Sequence, residues 1–150
     1  MLSRAIGISF LLFLVICSDA LALSCAAPIM SKEFERVPYV FKGYVQKITV
    51  KGESANSMTA ESTAMIDILE SYKADLPKRV YVSGNAYWGQ PFEPGEVYLV
   101  FAAKKDGKLF IKLCDGTAPF ASLDKKGLQE LFSLSDEFKR GANKMGMQME

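Results

Sequence analysis

The stretch WGQPFEPGEVYLVFAAKKDGKLFIKLCDGT, residues 88–117, decides the fold. It contains an apolar run at residues 97–103 and an apolar-polar alternation at residues 108–114, separated by Asp106 and Gly107. An Asp-Gly pair tolerates the positive backbone angles that tight hairpin turns require. The stretch therefore predicts two antiparallel strands joined by a short turn.

Three segments upstream of the hairpin also have the pattern of strands. Residues 38–50 alternate around Gly43, and a glycine inside a strand commonly marks a bulge or a tight barrel bend. Residues 63–72 are rich in β-branched side chains, which favours a strand, although Ala, Met, Leu and Glu leave a helix as the alternative. Residues 77–83 supply a third strand. We therefore expect a mainly-β domain.

A set of residues at fixed places along these strands carries a family resemblance. The first strand carries the pattern Phe41, Gly43, Val45, and the next one ends in the aromatic-lysine pair Tyr72, Lys73. The residues before the hairpin and in its first strand are Gly89, Phe92, Gly95, Tyr98 and Leu99. The residues at its end are Cys114, Asp115, Gly116 and Thr117. Together they resemble the netrin-like module, the barrel of the tissue inhibitors of metalloproteinases and their bacterial relatives. The resemblance covers residue 25 to about residue 134. It implies a five-stranded Greek-key barrel of the OB-fold type.

The segment after the hairpin predicts a carboxy-terminal helix. Ser122 or Asp124 can cap its start, and its apolar residues form one stripe through about Arg140: Leu128, Leu131, Phe132, Leu134 and Phe138. A single helical turn is expected at residues 31–36. In residues 141–150 methionines are interspersed with polar residues, so we expect a flexible tail. A Cu(I) site on the methionines is the alternative.

The composition excludes several classes of function. The chain has 150 residues, 49% of them hydrophobic, which suits one domain with a real core. Histidine is absent, so Ser-His-Asp and Cys-His catalysis and His-ligated zinc are excluded. The net charge of +1 provides no basic stripe for nucleic acid, although Tyr44, Tyr81 and Tyr98 on the barrel face could stack bases. We expect a protein without cofactor or enzymatic activity.

The amino end has the pattern of a secretory signal peptide at residues 1–22. Arg4 supplies the positive charge, residues 6–16 are apolar, and residues 20–22 (Ala-Leu-Ala) offer a small-x-small cleavage site. Cleavage would leave a domain of residues 23–140 in the periplasm or outside the cell. A retained anchor is the alternative, although the apolar run is shorter than the roughly 20 residues of a membrane span.

Two cysteines, Cys25 and Cys114, remain after cleavage. An even number in a small exported domain favours a disulfide, with two buried free thiols as the alternative. Residues 22–25 (Ala-Leu-Ser-Cys) also match a bacterial lipoprotein box loosely, in which case Cys25 would carry lipid and hold the protein at a membrane. A redox role for the two thiols is a further alternative, disfavoured because no Cys-x-x-Cys pair is present.

The resemblance implies a difference at one family disulfide. In the metalloproteinase inhibitors, a cysteine that precedes the glycine matching Gly89 bonds to the first cysteine of an amino-terminal Cys-x-Cys. Trp88 and Leu23 stand at these two places here, while Cys25 and Cys114 keep the other bridge. Both halves of one bridge are thus replaced together. Trp88 is expected to fill the barrel end in its place, or to form a contact patch with Tyr87 and Phe92.

The resemblance also implies a protein partner. In the inhibitor family the amino-terminal residue chelates the target's zinc through its α-amine and carbonyl. The corresponding arm here consists of Leu23, Ser24, Cys25, Ala26 and Ala27. Because Leu23 lacks its own bridge, ordering a mobile arm would cost affinity. We therefore expect a protein-binding module, with inhibition of a zinc metalloproteinase as the sharper alternative.

The mass of the exported protein tests the signal peptide and the disulfide together. We expect an amino terminus at Leu23 and a gain of two hydrogen atoms on reduction, because one bridge would open. Intact-mass spectrometry with and without reductant measures both. A lipid-modified terminus at Cys25 would contradict the disulfide.

Overall fold

The computed structural model describes residues 28–51, 60–85 and 92–146. The expected signal peptide and the last four residues, 147–150, lie outside this part of the chain. The described elements follow in the order α1 (Met30–Arg36), β1 (Tyr39–Lys51), β2 (Glu61–Lys73), β3 (Arg79–Asn85), β4 (Val97–Lys105), β5 (Lys108–Phe110), β6 (Ala118–Pro119), a 3-10 turn (Phe120–Ser122) and α2 (Lys125–Gly146).

Five strands form a closed sheet. Their hydrogen-bonded order is β1-β2-β3-β5-β4, and β4 pairs with β1 to complete the ring. The β3–β5 pair is parallel, whereas the other four pairs in the ring are antiparallel. The two-residue strand β6 adds to β4 outside the ring. The expectation of a mainly-β chain with a barrel-like sheet is confirmed.

The interior of the closed sheet holds the main core. Its buried members come from all five strands and the segment before β4: Phe41, Val45, Ala64, Ile66, Val80, Val82, Phe92, Tyr98, Val100, Ala102 and Leu109. Their period of two along the longer strands confirms the alternation seen in the sequence. Tyr98 packs edge-on against Phe92, with 5.1 Å between ring centroids. The expectation that Tyr98 lies on the barrel face with Tyr44 and Tyr81 was therefore wrong.

A second core joins the outside of the sheet to the two helices. It contains Phe34, Val37, Val40, Tyr72, Leu99, Phe101 and Leu131. Asp124 caps α2, because its carboxylate accepts the Gly127 N–H at 2.7 Å. The expected helical stripe is confirmed at Leu131, which is fully buried, whereas Phe132 remains 45% exposed.

Helix α2 is longer than the sequence indicated. It continues to Gly146, so most of the segment expected to be a flexible tail is helical. Ala142 and Asn143 lie beside the end of β2 and line a small cavity with it. The contact with this neighbouring strand accompanies the extension beyond Arg140, although residues 141–146 include two glycines.

The β4–β5 hairpin confirms the predicted turn but shortens the predicted second strand. Asp106 and Gly107 have φ angles of 52° and 79°, as a tight hairpin turn requires. Strand β5 ends at Phe110 rather than at residue 114. The chain turns there because the side chain of Asp115 accepts the Lys112 N–H at 2.9 Å, which replaces strand pairing.

Gly43 allows β1 and β2 to approach closely. The β1–β2 register shifts between Lys42 and Gly43, an irregularity at the glycine where the sequence predicts a bulge or a tight bend. A Cβ atom at Gly43 would lie 2.3 Å from the Cγ2 atom of Ile66. Ile66 is fully buried in the main core and has no room to move away.

Gly43→Ala should destabilise the barrel by about 1 to 3 kcal/mol, because the added methyl group overpacks the core. Gly141→Ala is the matched control, since a Cβ atom there meets nothing within 4 Å in an exposed part of α2. It should stabilise the protein by about 0.5 to 1 kcal/mol through helix propensity. Urea unfolding of both variants measures the difference. Equal stability of the two variants would contradict the close approach at Gly43.

Candidate functional site

The amino-terminal arm enters the described structure at Pro28, beside the turn that follows β5. A Cβ atom at Gly116 would lie 3.3 Å from the Cβ atom of Pro28, so glycine permits the close contact. Gly116 has a φ of 81° and Cys114 a φ of 63°, both in the left-handed region. Pro28 and the turn carrying Cys114 are therefore packed together.

Asp115 holds this turn in shape. Its side chain is almost fully buried and accepts N–H bonds from Lys112 at 2.9 Å and Thr117 at 3.0 Å. The Thr117 hydroxyl accepts the Phe101 N–H at 3.1 Å, which attaches the turn to β4. Burial raises the pKa of Asp115 above its ordinary value, against the opposing effect of these hydrogen bonds and of the Arg36 guanidinium.

Helix α1 is anchored at both ends. At its start the Ser31 N–H donates to the Glu130 carboxylate of α2 at 3.2 Å. At its end the Lys73 ammonium donates to the carbonyls of Phe34 at 2.6 Å and Glu35 at 3.3 Å. These contacts satisfy backbone groups that a helix leaves free at its ends, with charges that suit the helix dipole. The chain immediately after Pro28 is thus held rigidly.

The Tyr72-Lys73 pair, which the sequence resemblance singled out, connects β2 to both helices. Lys73 holds the end of α1, and burial lowers the pKa of its ammonium. The Tyr72 carbonyl accepts the Ser135 hydroxyl of α2 at 3.0 Å, and its own hydroxyl donates to Glu70 at 2.9 Å. Burial, followed by the Glu70 hydrogen bond, raises the pKa of Tyr72. The pair therefore positions both helices against the sheet.

The end of β3 lies beside the same turn. The Ile111 N–H donates to the Ser83 carbonyl at 3.0 Å. The segment between β3 and β4, which contains Tyr87 and Trp88, leaves β3 two residues after Ser83. At the far end of this segment Phe92 is buried in the main core. The expectation that Phe92 belongs to an exposed aromatic patch was therefore wrong, because its ring fills the barrel interior.

Two exposed large apolar side chains lie close in sequence to the Pro28–Gly116 contact. Ile29 follows Pro28 and is 53% exposed, and Leu113 precedes Cys114 and is 50% exposed. We call Pro28, Ile29 and the turn at residues 111–117 the arm–turn surface. Exposed apolar residues gathered at one place are typical of contact surfaces. Sequence reasoning missed Ile29 and Leu113, because an isolated apolar residue beside a proline or cysteine has no periodic signal.

Most of the predicted site residues lie outside the described part of the chain. They are Leu23, Ser24, Cys25, Ala26, Ala27, Tyr87 and Trp88. The described residues that flank both groups meet at the arm–turn surface, through the Pro28–Gly116 contact and the Ser83–Ile111 hydrogen bond. Cys114 lies within that surface. The structure therefore brings together the two places from which the predicted binding segments leave the barrel.

No protein-family model and no curated protein matches this sequence. Within residues 28–51, 60–85 and 92–146, no group of three or more metal-ligating side chains is positioned to hold an ion. In the same part of the chain neither helix is long and apolar enough to cross a membrane.

Asp115→Asn should destabilise the protein by about 1 to 3 kcal/mol, because the amide oxygen accepts only one of the two buried N–H groups well. Because the pKa of Asp115 is raised in the folded state, the protonated form of its side chain stabilises the fold at pH values below the ordinary pKa of 3.8. This stabilisation is lost as the pH rises through the folded-state pKa. The stability gap between wild type and variant should therefore narrow as the pH rises. Urea unfolding at several pH values measures this gap.

Asp124→Asn is the control for that experiment, because asparagine caps a helix as well as aspartate does. Its stability should stay within about 0.5 kcal/mol of wild type. A gap for Asp115→Asn that widens with rising pH would contradict the assigned role of burial.

Proposed function

We propose that this chain is a secreted, non-enzymatic protein-binding module of the netrin-like type. The partner would contact the arm–turn surface together with the two segments that leave it, which contain Leu23, Ser24, Cys25, Ala26 and Ala27, and Tyr87 and Trp88. The observation that carries the proposal is that described residues near both segments, Pro28 and Ser83, contact one turn through the Pro28–Gly116 contact and the Ser83–Ile111 hydrogen bond.

The strand order supports the OB-fold type of barrel. The OB-fold is a five-stranded Greek-key barrel, and the described strands close into a five-stranded sheet in the order β1-β2-β3-β5-β4, with β3 and β5 parallel. The helix α2 packs against the outside of this sheet through Leu131. The resemblance at Tyr72 and Lys73 supports the netrin-like assignment, because the contacts of these two residues anchor both helices.

The Pro28–Gly116 contact also supports a disulfide between Cys25 and Cys114. Cys25 stands three residues before Pro28, and Cys114 two residues before Gly116. An extended chain covers roughly 3.3 to 3.6 Å per residue, so Cys25 can approach Cys114 to the roughly 4.4 to 6.8 Å that bridged Cα atoms require. Such a bridge would hold the arm against the turn and lower the entropy lost on binding.

The side chains at this place suit a protein partner. Ile29 and Leu113 are each about half exposed and provide apolar contact area. Tyr87 and Trp88 belong to the residue types that most often dominate binding energy at interfaces. The Asp115 hydrogen bonds and the two anchored ends of α1 keep the surrounding backbone rigid, which favours specific recognition.

Inhibition of a zinc metalloproteinase is the sharper form of this proposal. The α-amine and carbonyl of a mature terminus at Leu23 can chelate zinc whatever the side chain. Pro28 and α1, which follow the arm directly in the sequence, are held by contacts with the rest of the domain. This favours inhibition, because preorganisation reduces the cost of binding. Addition of one alanine before Leu23 should then abolish inhibition and leave stability unchanged. A lipid on Cys25 would instead make the chain a surface lipoprotein.

The double variant Ile29→Ser/Leu113→Ser should bind the partner about tenfold more weakly or worse, because it removes apolar contact at the arm–turn surface. A photo-crosslinker at position 113 in the exporting cell identifies the partner, and calorimetry with both purified proteins measures affinity. Leu69→Ser is the matched control, since Leu69 is 54% exposed on β2. Equal affinity of the double variant and the control would contradict the proposal.

A further inference from the structure

A cavity of about 520 Å³ lies between β3 and the β4–β5 hairpin. Strand β3 pairs with β5 through Val82 and Ser83. This register places the preceding residues of β3 opposite the hairpin turn at Asp106 and Gly107. The first residues of β3 have no partner in β5, because β5 begins at Lys108, and the cavity occupies the space beside them. Its volume lies in the range of about 300 to 1,000 Å³ that is typical of small-molecule sites.

The floor of the cavity is apolar. Val80 and Leu109 belong to the buried main core, and the partly buried Tyr39 and Leu76 pack against that core. Tyr81 also lines the cavity and is 60% exposed, so its ring is available to a ligand. These side chains can bury an aliphatic chain or a small ring.

The rim of the cavity carries an excess of positive charge. Its cations are Lys51, Arg79, Lys104 and Lys108, whereas its carboxylate is Glu61. Two of the cations have compensating neighbours. Arg79 forms a salt bridge with Asp67 at 2.6 Å, and Lys51 lies opposite Glu61 in the β1–β2 register.

The hairpin lysines are not compensated in this way. Within the described residues, neither Lys104 nor Lys108 takes part in a salt bridge. Lys105 lies directly opposite Lys108 in the β4–β5 register, and like charges facing each other across two strands are unfavourable. Asp106 at the turn offsets one of these three charges. An anion at Lys104 and Lys108 would relieve the remaining repulsion.

We propose that this cavity binds a small amphiphilic anion, in which an apolar chain or ring carries one phosphate, sulfate or carboxylate group. The apolar part would lie on Leu76, Val80 and Leu109, with Tyr81 covering it. The anionic group would reach Lys104 and Lys108 at the rim. The ligand class follows from the combination of an apolar floor and uncompensated lysines. A neutral lipid would leave the lysines without an anion, and a simple anion would leave the floor without an apolar partner.

A nucleic acid fits this cavity less well than an amphiphilic anion does. Non-specific single-strand binding relies on several aromatic platforms and a cationic groove that follows the backbone. Tyr81 is the exposed aromatic residue of the cavity, and the cations of β3 and the β1–β2 hairpin are paired. Oligonucleotide binding is therefore an outcome that would overturn the proposal.

Calorimetric titration of the exported protein with n-decyl phosphate, below its micelle-forming concentration, tests the site. We expect saturable one-to-one binding, with inorganic phosphate at least about tenfold weaker because it leaves the floor unfilled. The neutral n-decyl maltoside should show no saturable binding. Equal affinity for inorganic phosphate, tighter binding of a single-stranded oligonucleotide, or no binding of n-decyl phosphate would overturn the proposal.

Two variants separate the rim from the floor. Lys104→Glu/Lys108→Glu should weaken n-decyl phosphate binding about tenfold or more through charge reversal. Lys125→Glu/Lys126→Glu on the exposed first turn of α2 has the same net charge and should bind as wild type does. Equal weakening by both double variants would indicate a general charge effect and overturn the site.

Leu76→Asn should weaken n-decyl phosphate and leave the affinity for inorganic phosphate unchanged, because it alters the floor alone. Thermal unfolding followed by circular dichroism confirms that each variant is folded before titration. This cavity involves none of the residues of the arm–turn surface. Loss of binding here would therefore leave the proposed protein-binding function untouched.

Discussion

Pairing of β4 with β1 closes the sheet, and the rest of the structure depends on that closure. Tyr39 to Tyr44 of β1 pair with β4 on one side, while the same strand pairs with β2 on the other. Closure turns one face of all five strands into an interior, so alternate residues such as Phe41 and Val100 become fully buried. It also forces β1 and β2 together at Gly43, where no side chain fits. The hydrophobic effect then stabilises the ring, because the apolar face has no other way to leave water.

The outside of the closed sheet supports two helices through a few polar contacts at the end of β2. Lys73 binds the carbonyl end of α1, and Ser135 of α2 binds the Tyr72 carbonyl. Glu130 of α2 in turn holds the start of α1. Each contact satisfies a backbone group that would otherwise lack a partner, which makes the arrangement specific as well as stable. Pro28, which precedes α1, packs on the turn at Gly116.

The two proposed binding places use different physical means. The arm–turn surface presents exposed apolar side chains, Ile29 and Leu113, on a backbone that Asp115 holds in shape. The cavity beside β3 combines a floor backed by the main core with the lysines of a hairpin rim. The first suits a protein, since apolar area on a rigid backbone favours an interface. The second suits a small ligand, since an apolar floor and charged side chains line the same cavity.

The amino-acid sequence by itself determined the local elements of this protein. The alternation in β1 to β4, the Asp106-Gly107 turn and the stripe of α2 are patterns of neighbouring residues, and each predicted element is present in the described chain. Only the tertiary structure decided the features that depend on long-range contacts. Closure buried Tyr98, the Asp115 hydrogen bonds shortened β5, and strand register placed Lys105 opposite Lys108. The segments that carry Ile29 and Leu113 are joined only because Pro28 packs on Gly116. Such contacts join residues far apart in the chain, and no local period records them.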